Sequence, residues 1–180
     1  PQGGVEAIVM NASGCGVTVK EYGHLLQGDM AYAAKAQRVS ALTLDLSELL
    51  PEIAQQLAGR VDVARTPTQL AYHPPCTLQH GQRIGGRVES LLEAAGYTLV
   101  PTREGTLCCG SAGTYSLLQP DLSAELRRRK ISALMDGSPQ AIVTANIGCL
   151  EHLRTVSPVP VRHWIEMVGD TIDRSNLTRH

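Results

Sequence analysis

Ala141-Ile142-Val143-Thr144-Ala145-Asn146-Ile147-Gly148-Cys149 reads as a strand that ends in a turn and hands a cysteine to the start of a helix. Its first five residues are small, apolar or β-branched, as in a short buried strand. Gly148 permits the turn, and Leu150 to Thr155 continues at helical spacing. A gapless comparison of the chain with itself finds the same pattern 134 positions earlier, where Glu6-Ala7-Ile8-Val9-Met10-Asn11-Ala12-Ser13-Gly14-Cys15 lies over Gln140 to Cys149. Ala, Ile, Val, Gly and Cys recur in register, so the chain is read as part of a tandem repeat. The expected division is 1–27 as the end of a first, truncated unit, 28–68 as a helical connector, 69–172 as a complete second unit and 173–180 as a frayed tail.

Outward from that stretch, short β-rich runs alternate with longer helical ones. That alternation predicts an α/β fold with a mostly parallel sheet flanked by helices. The strands expected are Ala7 to Asn11, Gln69 to His73, Tyr97 to Pro101, Ala141 to Ala145 and Val159 to His163. Helices are expected from a cap at Asp29 to about Leu42, over Leu46 to Leu57, and over Gln82 to Ala95 with Gly96 behind it. Pro120-Asp121 opens another that stops at Gly137-Ser138-Pro139, and a last one starts near Trp164, the only tryptophan.

The chain of 180 residues is 43% hydrophobic and 18% charged with net charge -1. This is the balance of a globular domain, with no overall field to recruit nucleic acid. No apolar stretch approaches the ~20 residues of a transmembrane helix. The basic run Arg127 to Lys130 sits within a helical pattern and is expected on a solvated face.

The five cysteines carry the chemistry. Cys76 is followed after 31 residues by Cys108-Cys109, and after a further 39 by Cys149. An odd count with an adjacent pair argues against a disulfide framework and for a reducing compartment with thiols kept for metal or redox work. Each cysteine follows or ends a strand, and in a parallel sheet the carboxyl ends share one edge, where distant residues converge. Thiolates suit iron–sulfur clusters and zinc alike. Cys149, at a helix start, faces free N–H groups that favour the thiolate, and Cys15 repeats that setting. Gly110-Ser111-Ala112-Gly113 is a loop whose amides can approach a cluster closely. His73 and His80 bracket Cys76 and can donate hydrogen bonds to a cluster, bind a quinone or substrate, or simply pack.

Cys76, the Cys108-Cys109-Gly110 triplet and Cys149 resemble the cysteine-rich CCG domain, which occurs twice in a heterodisulfide reductase subunit, the lactate-utilisation iron–sulfur protein, the anaerobic glycerol-3-phosphate dehydrogenase anchor subunit and the glycolate oxidase iron–sulfur subunit. Tyr72-His73-Pro74-Pro75-Cys76-Thr77-Leu78-Gln79-His80-Gly81-Gln82, Leu107 to Ser116, Ala145 to Cys149 and Val161 to Glu166 look most like the last of these.

The resemblance implies a Rossmann-like fold. It also implies a cluster, of 4Fe-4S type, on Cys76, Cys108, Cys109 and Cys149, with Gly110, Ser111, Gly113, His73 and His80 around it and Cys15 in a separate, truncated site. The family pattern ends in Cys-x-x-Cys, whereas here the sequence is Cys149-Leu150-Glu151-His152 and, in the first unit, Cys15-Gly16-Val17-Thr18. His152 can therefore supply a nitrogen ligand or lie on the surface. The implied role is electron transfer in a glycolate dehydrogenase complex: flavin-bearing subunits oxidise glycolate to glyoxylate, and electrons pass towards quinone. The implied location is the cytoplasm or the inner face of the cell membrane. No dinucleotide or flavin motif is visible, so the chain alone is not expected to oxidise glycolate. Two other classes share the same thiols: a zinc-stabilised structural domain, and a thiol- or quinone-reducing site.

Overall fold

The structure, a computed structural model, describes residues 4–49 and 68–171. It is α/β, with every strand pairing parallel. The chain runs β1 (Ile8–Met10), α1 (Ser13–Lys20), α2 (Tyr22–Leu25), α3 (Ala33–Leu42) and β2 (Thr43–Asp45). It resumes with β3 (Gln69–His73), a π-helical turn (Thr77–Gly81), α4 (Arg87–Ala94), β4 (Thr98–Leu99), α5 (Tyr115–Leu118) and α6 (Pro120–Met135). β5 (Ala141–Thr144), α7 (Ile147–Arg154), β6 (Val161–His163) and α8 (Trp164–Thr171) complete it.

The larger sheet has the order β4-β3-β5-β6. Its register sets His73 opposite Thr144 and Thr144 opposite His163, so the last residues of three neighbouring strands form one row at the carboxyl edge. β3 and β5 bury both faces, which is why they read as continuous apolar runs. Leu70, Tyr72 and Val143 pack with Val88, Leu92, Trp164 and Met167, the face covered by α4 and α8. Ala71 and Ile142 pack with Leu134, Leu150, Leu153, Cys109 and Cys149, the face covered by α6 and α7. Side chains alternate along a strand, so His73 and Thr144 share the second face with the cysteines.

Each of the five expected strands is present. β2 was not expected: Thr43-Leu44-Asp45, inside the segment read as a helical connector, pairs along β1 with Ile8 opposite Thr43 and Met10 opposite Asp45. Asp29 does not cap α3, whose N-cap is Tyr32 with no side-chain cap bond; its Oδ1 accepts from the amides of Ala31 and Tyr32 in the turn that precedes the helix. Residues 46–49 are helical, and the remainder of the Leu46 to Leu57 helix lies outside the described residues. α4 starts at Arg87 rather than near Gln82, because Gly86 before it takes φ +78, a left-handed conformation that a helix cannot continue. α1 and α7 occupy equivalent positions under the 134-residue shift, and each follows an extended residue, Ala12 or Asn146.

Candidate metal centre

Three short-range devices bring the thiols to one edge. Cys76 follows β3 and leads into the π-helical turn. Cys149 is the third residue of α7, directly after β5, where first-turn amides lack helical partners. Cys108 and Cys109 arrive on the loop between β4 and α5, and that loop depends on Gly110. Its φ of +90 is left-handed, and an added Cβ would collide with the carbonyl oxygen of Ser123 and lie 3.2 Å from Leu126 Cβ. Ser123 Oγ donates to the Gly110 carbonyl at 2.8 Å, fastening the loop to α6.

All five cysteines are free. Cys109 and Cys149 are buried, Cys76 and Cys108 half-buried. Sulfur meets sulfur in sequence along Cys76, Cys108, Cys109 and Cys149. The Cys108 thiol is held far below its ordinary value because Cys109 and then Cys76 hydrogen-bond to it. Cys149 is also lowered, first by Cys109 and further by the adjacent His73 ring. Cys109 and Cys76 are raised, chiefly because each gives its proton to Cys108. Four crowded sulfurs thus share their protons as one coupled set, and a metal that binds them all must expel the protons that remain.

Backbone and side-chain donors face these sulfurs. The Gly110 amide lies 3.4 Å from Cys108 Sγ, and the Ser111 amide serves Cys109. Asn146 Nδ2 lies 3.6 Å from Cys149 Sγ, while its Oδ1 accepts from the Gly14 amide at 3.0 Å. The first strand–helix unit is therefore tied to the second through the residue that touches Cys149. Gly113 takes φ +58 in open space, a left-handed turn shortly before α5.

The other residues singled out in the sequence fall as follows. His73 is wholly buried. One ring nitrogen, Cys109 Sγ and Cys149 Sγ lie within 4.8 Å of one another, a grouping that can hold a metal ion. Neither nitrogen has a nitrogen or oxygen atom as partner, and the ring faces the Cys149 sulfur closely enough to favour its thiolate. Leaving such a buried group unsatisfied costs about 1–3 kcal/mol. His152 is half-buried with Nε2 at 3.3 Å from Ser123 Oγ, so it braces the Gly110 anchor. His80 is exposed on the π-helical turn. Cys15 is exposed on α1 and is not part of the buried grouping of His73, Cys109 and Cys149.

Lys130 was missed. Arg127 donates to Thr155 Oγ1, Arg128 pairs with Glu125 and Arg129 with Glu104, all on the outer surface as expected. Lys130 instead has no exposure, and its Nζ donates to the carbonyls of Glu104 at 3.0 Å and Gly105 at 3.1 Å. Burial lowers its pKa while Cys76, Cys109 and Cys108 favour the cation. It fastens the loop that leads to Cys108 and offsets thiolate charge. The signal was in the sequence: Lys130 falls on the stripe of Ser123, Ala133 and Leu134, the inward face of α6.

A model of the cysteine-rich CCG domain matches residues 70–154, the interval that spans all four clustered thiols. The Escherichia coli (strain K12) glycolate oxidase iron-sulfur subunit is 50% identical over 96% of this chain and 42% of its own length. The uncharacterized Escherichia coli protein YkgE is 30% identical over 91% of this chain and 70% of its own. The chain belongs to the cysteine-rich CCG-domain family. Lactate utilization protein A of Exiguobacterium, at 25% identity, aligns over 97% of this chain and 72% of its own length. In this CCG domain the donor set is soft, buried on its inner side, served by amides and accompanied by a buried cation. Those features fit an iron–sulfur group. Among the described residues, no helix is long and apolar enough to cross a membrane.

Proposed function

We propose that Cys76, Cys108, Cys109 and Cys149 hold an iron–sulfur cluster of 4Fe-4S type, and that this chain carries electrons in a complex that oxidises glycolate to glyoxylate. The observation that carries the reading is four contiguous free thiols at one sheet edge. The name and 50% identity of the Escherichia coli subunit give it a setting. Because the chain spans under half of that subunit's length, flavin-bearing partners, quinone as the final acceptor and a site at the inner face of the cell membrane all belong to the proposal. The tandem reading does too, with 69–172 as one complete unit and 1–27 as the end of another, supported by the matching strand–helix units.

When bound, the cluster supplies one-electron chemistry at a fixed place in the fold. The residues present set its conditions. Cys109 and Cys149 sit on the dry side against Leu134, Leu150 and Leu153, where water is excluded. Cys76 and Cys108 stand on the half-exposed side, the face open to a redox partner. The amides of Gly110 and Ser111 and the Lys130 ammonium stabilise added negative charge.

The grouping of His73, Cys109 and Cys149 within 4.8 Å would also suit a single zinc ion, which makes a purely structural domain the second reading. Anaerobic addition of glycolate to the assembled complex separates the two. The electron-transfer reading expects the visible absorption of this chain to bleach, and to fail to bleach when Cys108→Ser is present. An unaltered complex that turns over glycolate with no bleaching contradicts it.

A further inference from the structure

His73 is a buried ring at this edge, with two nitrogens able to bind a metal, that the four-thiol site leaves without a role. It has no exposed surface, neither ring nitrogen has a nitrogen or oxygen atom as partner, and the ring turns to sulfur: one nitrogen lies within 4.8 Å of both Cys109 Sγ and Cys149 Sγ, close enough to favour the Cys149 thiolate. Its direction is set by the fold. His73 is the last residue of β3, on the same face as Ala71, and that face packs against the cysteines. Thr144, beside it in the sheet row, is equally buried, and its Oγ1 is likewise unpartnered, so the ring has no neighbour on β5 to satisfy it. Buried imidazoles ordinarily pair with nitrogen or oxygen, and one whose ring nitrogen instead sits beside two cysteine sulfurs is arranged to join them as a metal ligand.

The geometry points to His73 as a fifth protein donor, matching in number the five thiols of the family pattern, with a ring nitrogen bound to an iron position that the four cysteine sulfurs leave open. This rests on the cluster reading above. The position at which the family pattern has its final thiol is His152 in this chain, and His152 directs Nε2 at Ser123 Oγ, 3.3 Å away, in the bracing of Gly110. The replacement donor therefore comes from the end of β3, three residues before Cys76. A neutral imidazole in place of a thiolate lowers the negative charge around the iron and raises its reduction potential, the effect that histidine ligation has in other iron–sulfur centres.

Iron K-edge X-ray absorption of the anaerobically loaded 180-residue chain tests this. The scattering pattern of a bound imidazole ring is expected in the unaltered chain and in His152→Ala, and is expected to vanish in His73→Ala and His73→Gln. Iron with sulfur scattering only, or an imidazole signal that survives His73→Ala or disappears in His152→Ala, overturns the assignment. If the His73 variants do not fold, pulsed EPR of the reduced His152→Ala chain grown with ¹⁵N-histidine decides it: a directly bound nitrogen is expected, and none overturns it. A chain with no iron or sulfide overturns the cluster reading, and this proposal with it. That result is distinct from a cluster that forms without a bound nitrogen.

Discussion

The chain contains two strand–turn–helix units of matching text, Ile8 to Lys20 and Ile142 to Arg154, and only one ends in a buried cysteine. Their helices correspond residue for residue under the 134-residue shift, and both follow an extended residue. Cys149 is buried against Cys109 and His73, whereas Cys15 is exposed. Local sequence is thus enough to place a cysteine at a helix start. It is not enough to make a site: that takes the Cys108-Cys109-Gly110 loop and the end of β3, which 69–172 supplies for Cys149.

The sharpest break of this comparison is to remove one cysteine from each unit. Cys149→Ser is expected to abolish iron loading and Cys15→Ser to leave it unchanged, measured as iron per chain after anaerobic purification. Equal loss in both would show that the exposed unit takes part in the same site. Next in size is Gly110→Ala, which sets a Cβ against the Ser123 carbonyl oxygen in a left-handed conformation. A cost of roughly 2 kcal/mol or more, or about 5 °C in Tm, is expected, together with poor iron loading. An unchanged melting curve would contradict the anchoring of that loop.

Lys130→Met keeps the volume and removes the buried cation. The loaded chain is expected to show a lower reduction potential by redox titration, since a positive charge near the thiols favours the added electron. No shift would mean that Lys130 serves only the carbonyls of Glu104 and Gly105. The smallest effect should come from Asn146→Ala, which cuts the tie between the Gly14 amide and the residue touching Cys149. A loss of about 1 kcal/mol in urea unfolding, with loading retained, would show that the two units support each other without sharing ligands.

What was legible in the sequence follows from where each signal lives. Strands buried on both faces, such as Gln69–His73 and Ala141–Thr144, announce themselves as apolar runs, and Pro120 marks the start of α6. Thr43-Leu44-Asp45 did not, because its extended form comes from pairing with β1, a partner more than thirty residues away. The four thiols were legible because adjacent cysteines beside a glycine are hard to explain as packing. Lys130 was hidden by the three arginines before it, although the helical stripe contained it. The different standing of His73 and His152 could not be read at all, since both are single histidines near a cysteine. Only the placement of Ser123 and the absence of a nitrogen or oxygen partner at His73 separate them.

The most direct measurement is the iron and acid-labile sulfide content of the chain purified without oxygen, beside the Cys108→Ser form. The account predicts a brown protein with iron and sulfide in comparable amounts, both lost in the variant. A colourless protein holding one tightly bound zinc, with neither iron nor sulfide, would contradict it.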